Sequence, residues 1–340
     1  MRKINGQPVD AITDISDTSG GEALKWNAST SKMVWELQDD TSYVPAWSGE
    51  RGVFGGGSGG AGSASAETIE YITIASTGNS TDFGNLVSRG AYKASCSNGS
   101  RGIWAGEELS GESNEIDYIT ISTPSDATDF GDLTRAVKRA GAASDGTKGV
   151  FAGGVASSTK QNTIDYITIA STGNATDFGD LSAVREAPAG VSNGTRGIYG
   201  GGMEGSTTRV TTIEYIVIAT TGNSTDFGDL TVARTYSGAT GSTTRGVFGG
   251  GYNDSLLNTI DYITMDTTGN ATDFGDLTAN ISFPSGAVSN LTRGVFAGGY
   301  NPSWVLVNTI EYITIASTGN SPDFGDLLHA RHSPNGCSGD

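Results

Sequence analysis

Residues 69–86 read Ile69-Glu-Tyr-Ile-Thr-Ile-Ala-Ser-Thr-Gly-Asn-Ser-Thr-Asp-Phe-Gly-Asn-Leu86, and close copies run 116–133, 164–181, 213–230, 260–277 and 310–327. Their tyrosines, Tyr71, Tyr118, Tyr166, Tyr215, Tyr262 and Tyr312, are spaced 47, 48, 49, 47 and 50 residues apart. A second element precedes each copy: Arg51-Gly-Val-Phe, Arg101-Gly-Ile-Trp, Lys148-Gly-Val-Phe, Arg196-Gly-Ile-Tyr, Arg245-Gly-Val-Phe and Arg293-Gly-Val-Phe. The β-branched and aromatic runs, bounded by Gly, Asn and Ser, are strand chemistry. Thr-Gly-Asn reads as a turn whose Asn bonds its own backbone, Asp-Phe-Gly-Asp-Leu as a short outer strand, and a small-residue run such as Gly286-Ala-Val-Ser-Asn290 as a fourth strand. Four strands repeating every 40–50 residues are the signature of a propeller blade. The fold expected is all-β, a six-bladed β-propeller of four-stranded blades.

The C-terminal end points to how the ring closes. In the first five copies, 14 or 15 residues separate the final Leu from the next Arg/Lys-Gly, whereas 13 residues follow Leu327. Residues 328–340 are therefore expected to supply the innermost strand of the blade opening at Arg51, which removes an exposed sheet edge.

The pattern resembles the kelch propellers. The likeness covers residues 49–340 and rests on glycine doublets such as Gly55-Gly56, Gly200-Gly201 and Gly249-Gly250, and on the recurring Arg185, Arg234 and Arg331. It departs from that pattern at Ala105-Gly106, and in carrying Phe83, Phe130, Phe178, Phe227, Phe274 and Phe324 where kelch blades place Trp.

Residues 1–48 lie outside the repeat. The runs Ala23-Leu-Lys-Trp-Asn27 and Met33-Val-Trp-Glu-Leu37 flank a polar turn and predict a β-hairpin within an extended arm. This stretch resembles a short module of bacteriophage virion proteins, tail fibres especially, through Asp17, Gly20, Leu24, Trp26, Asn27, Ser29, Thr30, Lys32 and Trp35. The resemblance implies an arm that attaches to other virion proteins, with Leu24, Trp26 and Trp35 as anchor residues, and localisation on a virion surface, tail or capsid.

Composition narrows the chemistry. Gly accounts for 51 of 340 residues and charged residues for 17%, roughly twice and two-thirds of their usual shares. A net charge of −17 argues against nucleic acid as a partner. No apolar run is long enough to span a bilayer, so no membrane insertion is expected, and Met1-Arg-Lys-Ile-Asn-Gly-Gln-Pro8 lacks the apolar stretch of a signal peptide. Two cysteines and two histidines leave little for histidine-based or metal catalysis, and no enzyme activity is expected. Cys96 and Cys337 read as small fillers near the channel.

The repeated acids, 17 of the 37 in the chain, read first as turn caps. Calcium is the alternative ligand for such a set, and no other cofactor is indicated. The tyrosines and phenylalanines of the repeat read as core between blades. Function is expected instead in the connections that differ between blades: 58–67, 107–114, 155–162, 203–211, 252–258 and 300–308. There Tyr252, Tyr300 and Trp304, beside Asn253, Asp254 and Asn301, are the candidates for holding a host surface glycan or protein, while Val305-Leu306-Val307 favours a protein contact. The expected role is a displayed virion propeller that binds a receptor. Alternatives are a capsid decoration or head-fibre protein and an intracellular kelch-type scaffold. No heptad run specifies a homo-oligomer.

Overall fold

The computed structural model describes residues 48–59, 66–108, 111–282, 284 and 286–340, together with the backbone of four short strands before residue 48. The chain divides into two compact units, Met1–Val44 and Pro45–Asp340. In the first, Lys3–Ile4 pairs with Gln7–Pro8, and Glu22–Asn27 pairs antiparallel with Lys32–Leu37, setting Leu24 opposite Trp35 and Trp26 opposite Met33. The hairpin is thus present. Asp17, Gly20, Ser29 and Thr30 of the virion-like motif lie outside the described residues.

The second unit is a six-bladed β-propeller. Each blade is a four-stranded antiparallel sheet, and no α-helix occurs among the described residues. Blade 1 runs, from the channel outward, Asn335–Gly339, Arg51–Gly55, Thr68–Thr73 and Thr81–Asn85. The C-terminal strand closes the ring as expected, pairing Cys337 with Val53 and Gly339 with Arg51. The inner strands of blades 2 to 6 are Ala94–Ser97, Gly141–Ser144, Ala189–Ser192, Gly238–Gly241 and Gly286–Ser289.

The repeat is conserved from blade to blade because each constant residue makes a contact across a blade boundary. Each opening cation lies over the tyrosine ring of its own blade, 4.3–5.1 Å from the centroid, and donates to a carbonyl of the next blade. Arg51 reaches Ile121 at 2.7 Å, and Arg293 reaches Ile74 at 3.1 Å, completing the circle. The Asn of Thr-Gly-Asn does not bond its own backbone. Its Oδ1 accepts from the outer strand of the preceding blade, as in Asp180 N–H to Asn223 at 3.0 Å and Asp326 N–H to Asn79 at 3.0 Å. Blade 2 has Asp126 at this position, and its partner is Asn85 rather than Asp, so each such boundary keeps one acid and one amide.

The phenylalanines are buried between blades, as expected: Phe83 shares a cluster with Trp104, Ile119 and Ile121 of blade 2. The tyrosines are half-buried and meet those phenylalanines edge-on, with centroids 6.0 Å apart for Tyr71 and Phe83. The glycine five residues after each opening cation has a left-handed backbone, φ 63–70° at Gly56, Gly106, Gly153, Gly201, Gly250 and Gly298. A Cβ there would sit 2.2–2.7 Å from a carbonyl oxygen of the connector that leaves the same blade for the next. Only glycine meets both conditions.

The acid before each tyrosine does more than cap a backbone N–H, which Glu70, Glu214, Asp261 and Glu311 do for Leu328, Ser182, Thr231 and Thr278. These side chains are buried and most face a cation from the incoming connector: Glu70 with Arg331 at 3.0 Å, Glu214 with Arg185 at 3.3 Å, Asp261 with Arg234 at 2.8 Å, Asp165 with Arg135 at 3.5 Å and Asp117 with Lys93 at 3.5 Å. Arg331, Arg234 and Arg185 also each donate to two backbone carbonyls of the blade they lead into. Gly90 replaces the arginine in blade 2, and a Cβ on it would lie 2.6 Å from Glu107 Cβ and 3.1 Å from Lys93 Cε, so the glycine leaves room for Glu107 and Lys93 together. Glu311 alone takes only hydroxyl and amide donors among the described residues, Thr278 and Ser321, because Ile281 occupies the arginine position. Cys96 and Cys337 are buried free thiols on adjacent inner strands. Each sits over the glycine following the opening cation of the next blade, within 2.7 Å of where its Cβ would be, which fits the filler reading.

Candidate functional site

The variable connections and the connectors between blades share one face, where they pair by single bridges: Ser58 with His332, Glu186 with Met203, Thr235 with Tyr252, and Ser282 with Tyr300. The repeat fails on this face. Six residues after the last Leu of each repeat, the described chain is left-handed without glycine: Tyr92 (φ 59°), Arg139 (60°), Ala187 (51°), Tyr236 (57°) and Ser333 (52°). Such backbone costs roughly 1–2 kcal/mol per residue and clusters at functional sites. All but Ser333 line a cavity of about 90 Å³ at the channel mouth, with Lys93 and Asn335.

Arg139 organises that mouth. Its guanidinium makes three hydrogen bonds to Glu108, at 2.9, 3.1 and 3.1 Å, a fourth to Glu186 at 3.2 Å and a fifth to the Tyr236 hydroxyl at 2.9 Å. It also lies over Tyr92 at 4.8 Å and Tyr236 at 5.6 Å. Lys138 reaches Glu108 at 2.9 Å, and Lys160 reaches Glu186 at 3.5 Å. Burial would raise the Glu108 carboxyl, but Lys138 and Arg139 outweigh it and hold the group below its ordinary value. Burial pushes the Tyr92 hydroxyl up to about 12 and raises Tyr236 as well, so both phenols stay protonated hydrogen-bond donors.

From the mouth an unbroken aromatic strip runs outward. Tyr236 and Tyr92 are 6.1 Å apart, Tyr92 and His332 5.4 Å, and His332 stacks on Tyr300 at 4.8 Å. Trp304 follows at 5.7 Å and Tyr252 at 5.9 Å beyond it. Trp304 is 53% exposed. At the outer end Arg209 lies over Tyr252 at 4.9 Å and pairs with Asp254 at 2.7 Å.

Of the six residues expected from sequence to bind a ligand, Tyr252, Tyr300 and Trp304 thus come together in one strip, and Asp254 stands at its edge. Asn301 shapes its own loop instead, its Oδ1 accepting from Ser303 and Val305 N–H. Asn253 N–H donates to the Ser255 carbonyl, within its own turn. The sequence reading missed Tyr92, Arg139, Arg209, Tyr236 and His332. The signal for three of them was present, since Tyr92, Arg139 and Tyr236 occupy the repeat position held by Ala187 and Ser333.

His332 makes the strip sensitive to acid. Burial pushes its imidazole from 6.5 down to about 4; Glu108 opposes the shift and Arg139 adds to it. Between these values the unfolded chain takes up the proton first, so the neutral ring's contribution is full above 6.5 and is lost as the pH falls toward 4. The shift corresponds to about 3 kcal/mol. Asp117 has the opposite sign: burial raises its carboxyl to about 6, so the folded state takes up that proton first and gains stability on acidification. Urea denaturation of His332→Gln isolates the histidine contribution. Its stability relative to wild type is expected to improve by about 3 kcal/mol from pH 7 to pH 4; a difference independent of pH would contradict the buried neutral ring.

Among the described residues no group of three or more His, Cys, Asp or Glu side chains could hold a metal ion, and no helix is long and apolar enough to cross a membrane. No protein-family profile matches the chain, and a search of curated proteins returns no match.

Proposed function

We propose that the protein is a non-enzymatic recognition propeller displayed on a virion surface, which binds a host surface saccharide through its loop-bearing face. The observation that carries the reading is the strip Tyr252–Trp304–Tyr300–His332–Tyr92–Tyr236. Its members are absent from the repeat, and near its outer end it carries a tryptophan half open to solvent. Aromatic faces bury the apolar faces of sugar rings while their polar tips bond hydroxyls. The six-fold contacts are all engaged in holding blades together, which leaves this non-repeated face for recognition. The kelch-like glycines and the virion-like motif of residues 1–48 support display of the propeller by an N-terminal arm, with Leu24, Trp26 and Trp35 as attachment residues and the tail fibre as the place favoured.

A second reading, a protein partner, is favoured by Val305, 56% exposed beside Trp304. It would suit a capsid decoration protein or an intracellular scaffold. Immunogold labelling of source particles with an antibody to residues 49–340, combined with a glycan array probed with the full chain, tests the proposal. Label on the tail and retention of glycans are expected. Protein confined to cell lysate, with no glycan retained, would discard it.

A further inference from the structure

We infer that the strip selects neutral saccharides and discriminates against acidic ones; this deepens the proposed saccharide reading and rests on it. Recognition of a sugar carboxylate, sulfate or phosphate is served best by a cation whose charge is not already neutralised, above all an arginine fork presented to the ligand. Among the described residues four cations border the strip, and each lies within 4 Å of a carboxylate of this chain. Arg139 is held by Glu108 and Glu186, Lys138 by Glu108 and Glu112, Lys160 by Glu186 and Arg209 by Asp254. Four cations against the four carboxylates Glu108, Glu112, Glu186 and Asp254 leave no local positive charge, in a chain of net charge −17. An acidic sugar would have to displace one of these carboxylates and then face it as a like charge.

The same groups suit a neutral ring. Carboxylates accept hydrogen bonds from hydroxyls, and Asp254, its side chain 82% exposed, stands at the outer end of the strip. Trp304 and Tyr252, 5.9 Å apart and inclined at 61°, present two non-coplanar faces to one ligand. The cavity at the channel mouth, about 90 Å³, is narrow, so the saccharide lies along the strip and not down the channel.

The test immobilises N-acetyllactosamine, its sialylated form, a high-mannose oligosaccharide and hyaluronan, and measures binding of the full chain at 0.05 and 0.5 M NaCl. Binding to at least one of the two neutral probes is expected, with sialylation of N-acetyllactosamine weakening it at least fivefold. Neutral-probe affinity should change less than twofold with salt, because no ion pair forms on binding. Trp304→Ala should lose at least tenfold and Trp304→Phe recover most of it, with thermal unfolding unchanged in both. Preference for the sialylated or hyaluronan probe, lost in Trp304→Ala and weakened by salt, would overturn the neutral assignment while keeping the strip as the saccharide site. Retention of none of the probes would remove the saccharide reading and this assignment with it.

Discussion

Replacing Glu70 with glutamine is expected to destabilise the propeller by about 3–5 kcal/mol, because it leaves a fully buried arginine without its charge partner. Glu70 and Arg331 are both 0% exposed, and Arg331 lies in the connector that brings the C-terminal strand into blade 1. The guanidinium also bonds the carbonyls of Gly56 and Thr68, at 2.8 and 2.9 Å, so it cannot swing out to solvent without abandoning them. Ser80 and the Leu328 N–H donate to the same carboxylate at 2.5 and 2.8 Å. Glu311 provides an internal control. It occupies the same position in blade 6 but faces Thr278 and Ser321 with no cation among the described residues. Glu311→Gln should therefore cost only about 1–2 kcal/mol, the scale of disturbed hydrogen bonds to a buried group. Urea denaturation of the two variants decides the matter, and equal losses would show that the ion pair adds nothing beyond hydrogen bonding.

This pairing was not legible in the sequence, although both partners were. Arg185, Arg234 and Arg331 recur at one position of the repeat, and the acids recur before each tyrosine. Each arginine meets the acid of the blade it leads into, as Arg234 meets Asp261, so the contact crosses a blade boundary that a one-dimensional pattern does not mark. Turn capping looked sufficient because Asp and Glu serve it in most loops. The four-stranded blades, their number and the closing strand were legible for the opposite reason: strand periodicity and turn residues are local, and six copies reinforce one another. The binding face fell between these cases. Tyr300, Trp304 and Tyr252 announced themselves as aromatics in variable loops. Tyr92, Arg139 and Tyr236 hid in a connector where Ala187 and Ser333 made the position look unconstrained. Their shared left-handed backbone, which orients them over the channel, has no sequence signature when the residue is not glycine.

A circular permutant of Glu50–Asp340, with Asp340 joined directly to Glu50 and new ends at the exposed Ser206–Thr207 step, is expected to fold with a stability within about 1 kcal/mol of the unpermuted propeller. Removing residues 335–340 should instead abolish cooperative unfolding. Four residues separate Ser97 from its partner Gly102 in the innermost hairpin of blade 2. Joining Asp340 to Glu50 places Gly339, Asp340, Glu50 and Arg51 between the equivalent partners Ser338 and Gly52, the same count. The junction is already drawn together, since Glu50 N–H donates to Asp340 Oδ1 at 2.7 Å, so no linker is needed and little new strain arises. Truncation has no such compensation. It uncovers Val53 and Phe54, both 0% exposed, leaves the backbone of Arg51–Gly55 unpaired along one edge, and takes away the carbonyl that accepts from Trp104 Nε1 at 3.0 Å. The apolar surface uncovered, at about 25 cal/mol per Å², is lost from a total stability that for whole domains is only about 5–15 kcal/mol. Circular dichroism and urea titration of the two proteins separate the cases. A truncated ring that still unfolds cooperatively at the same midpoint would mean that the blades hold together through their lateral contacts alone.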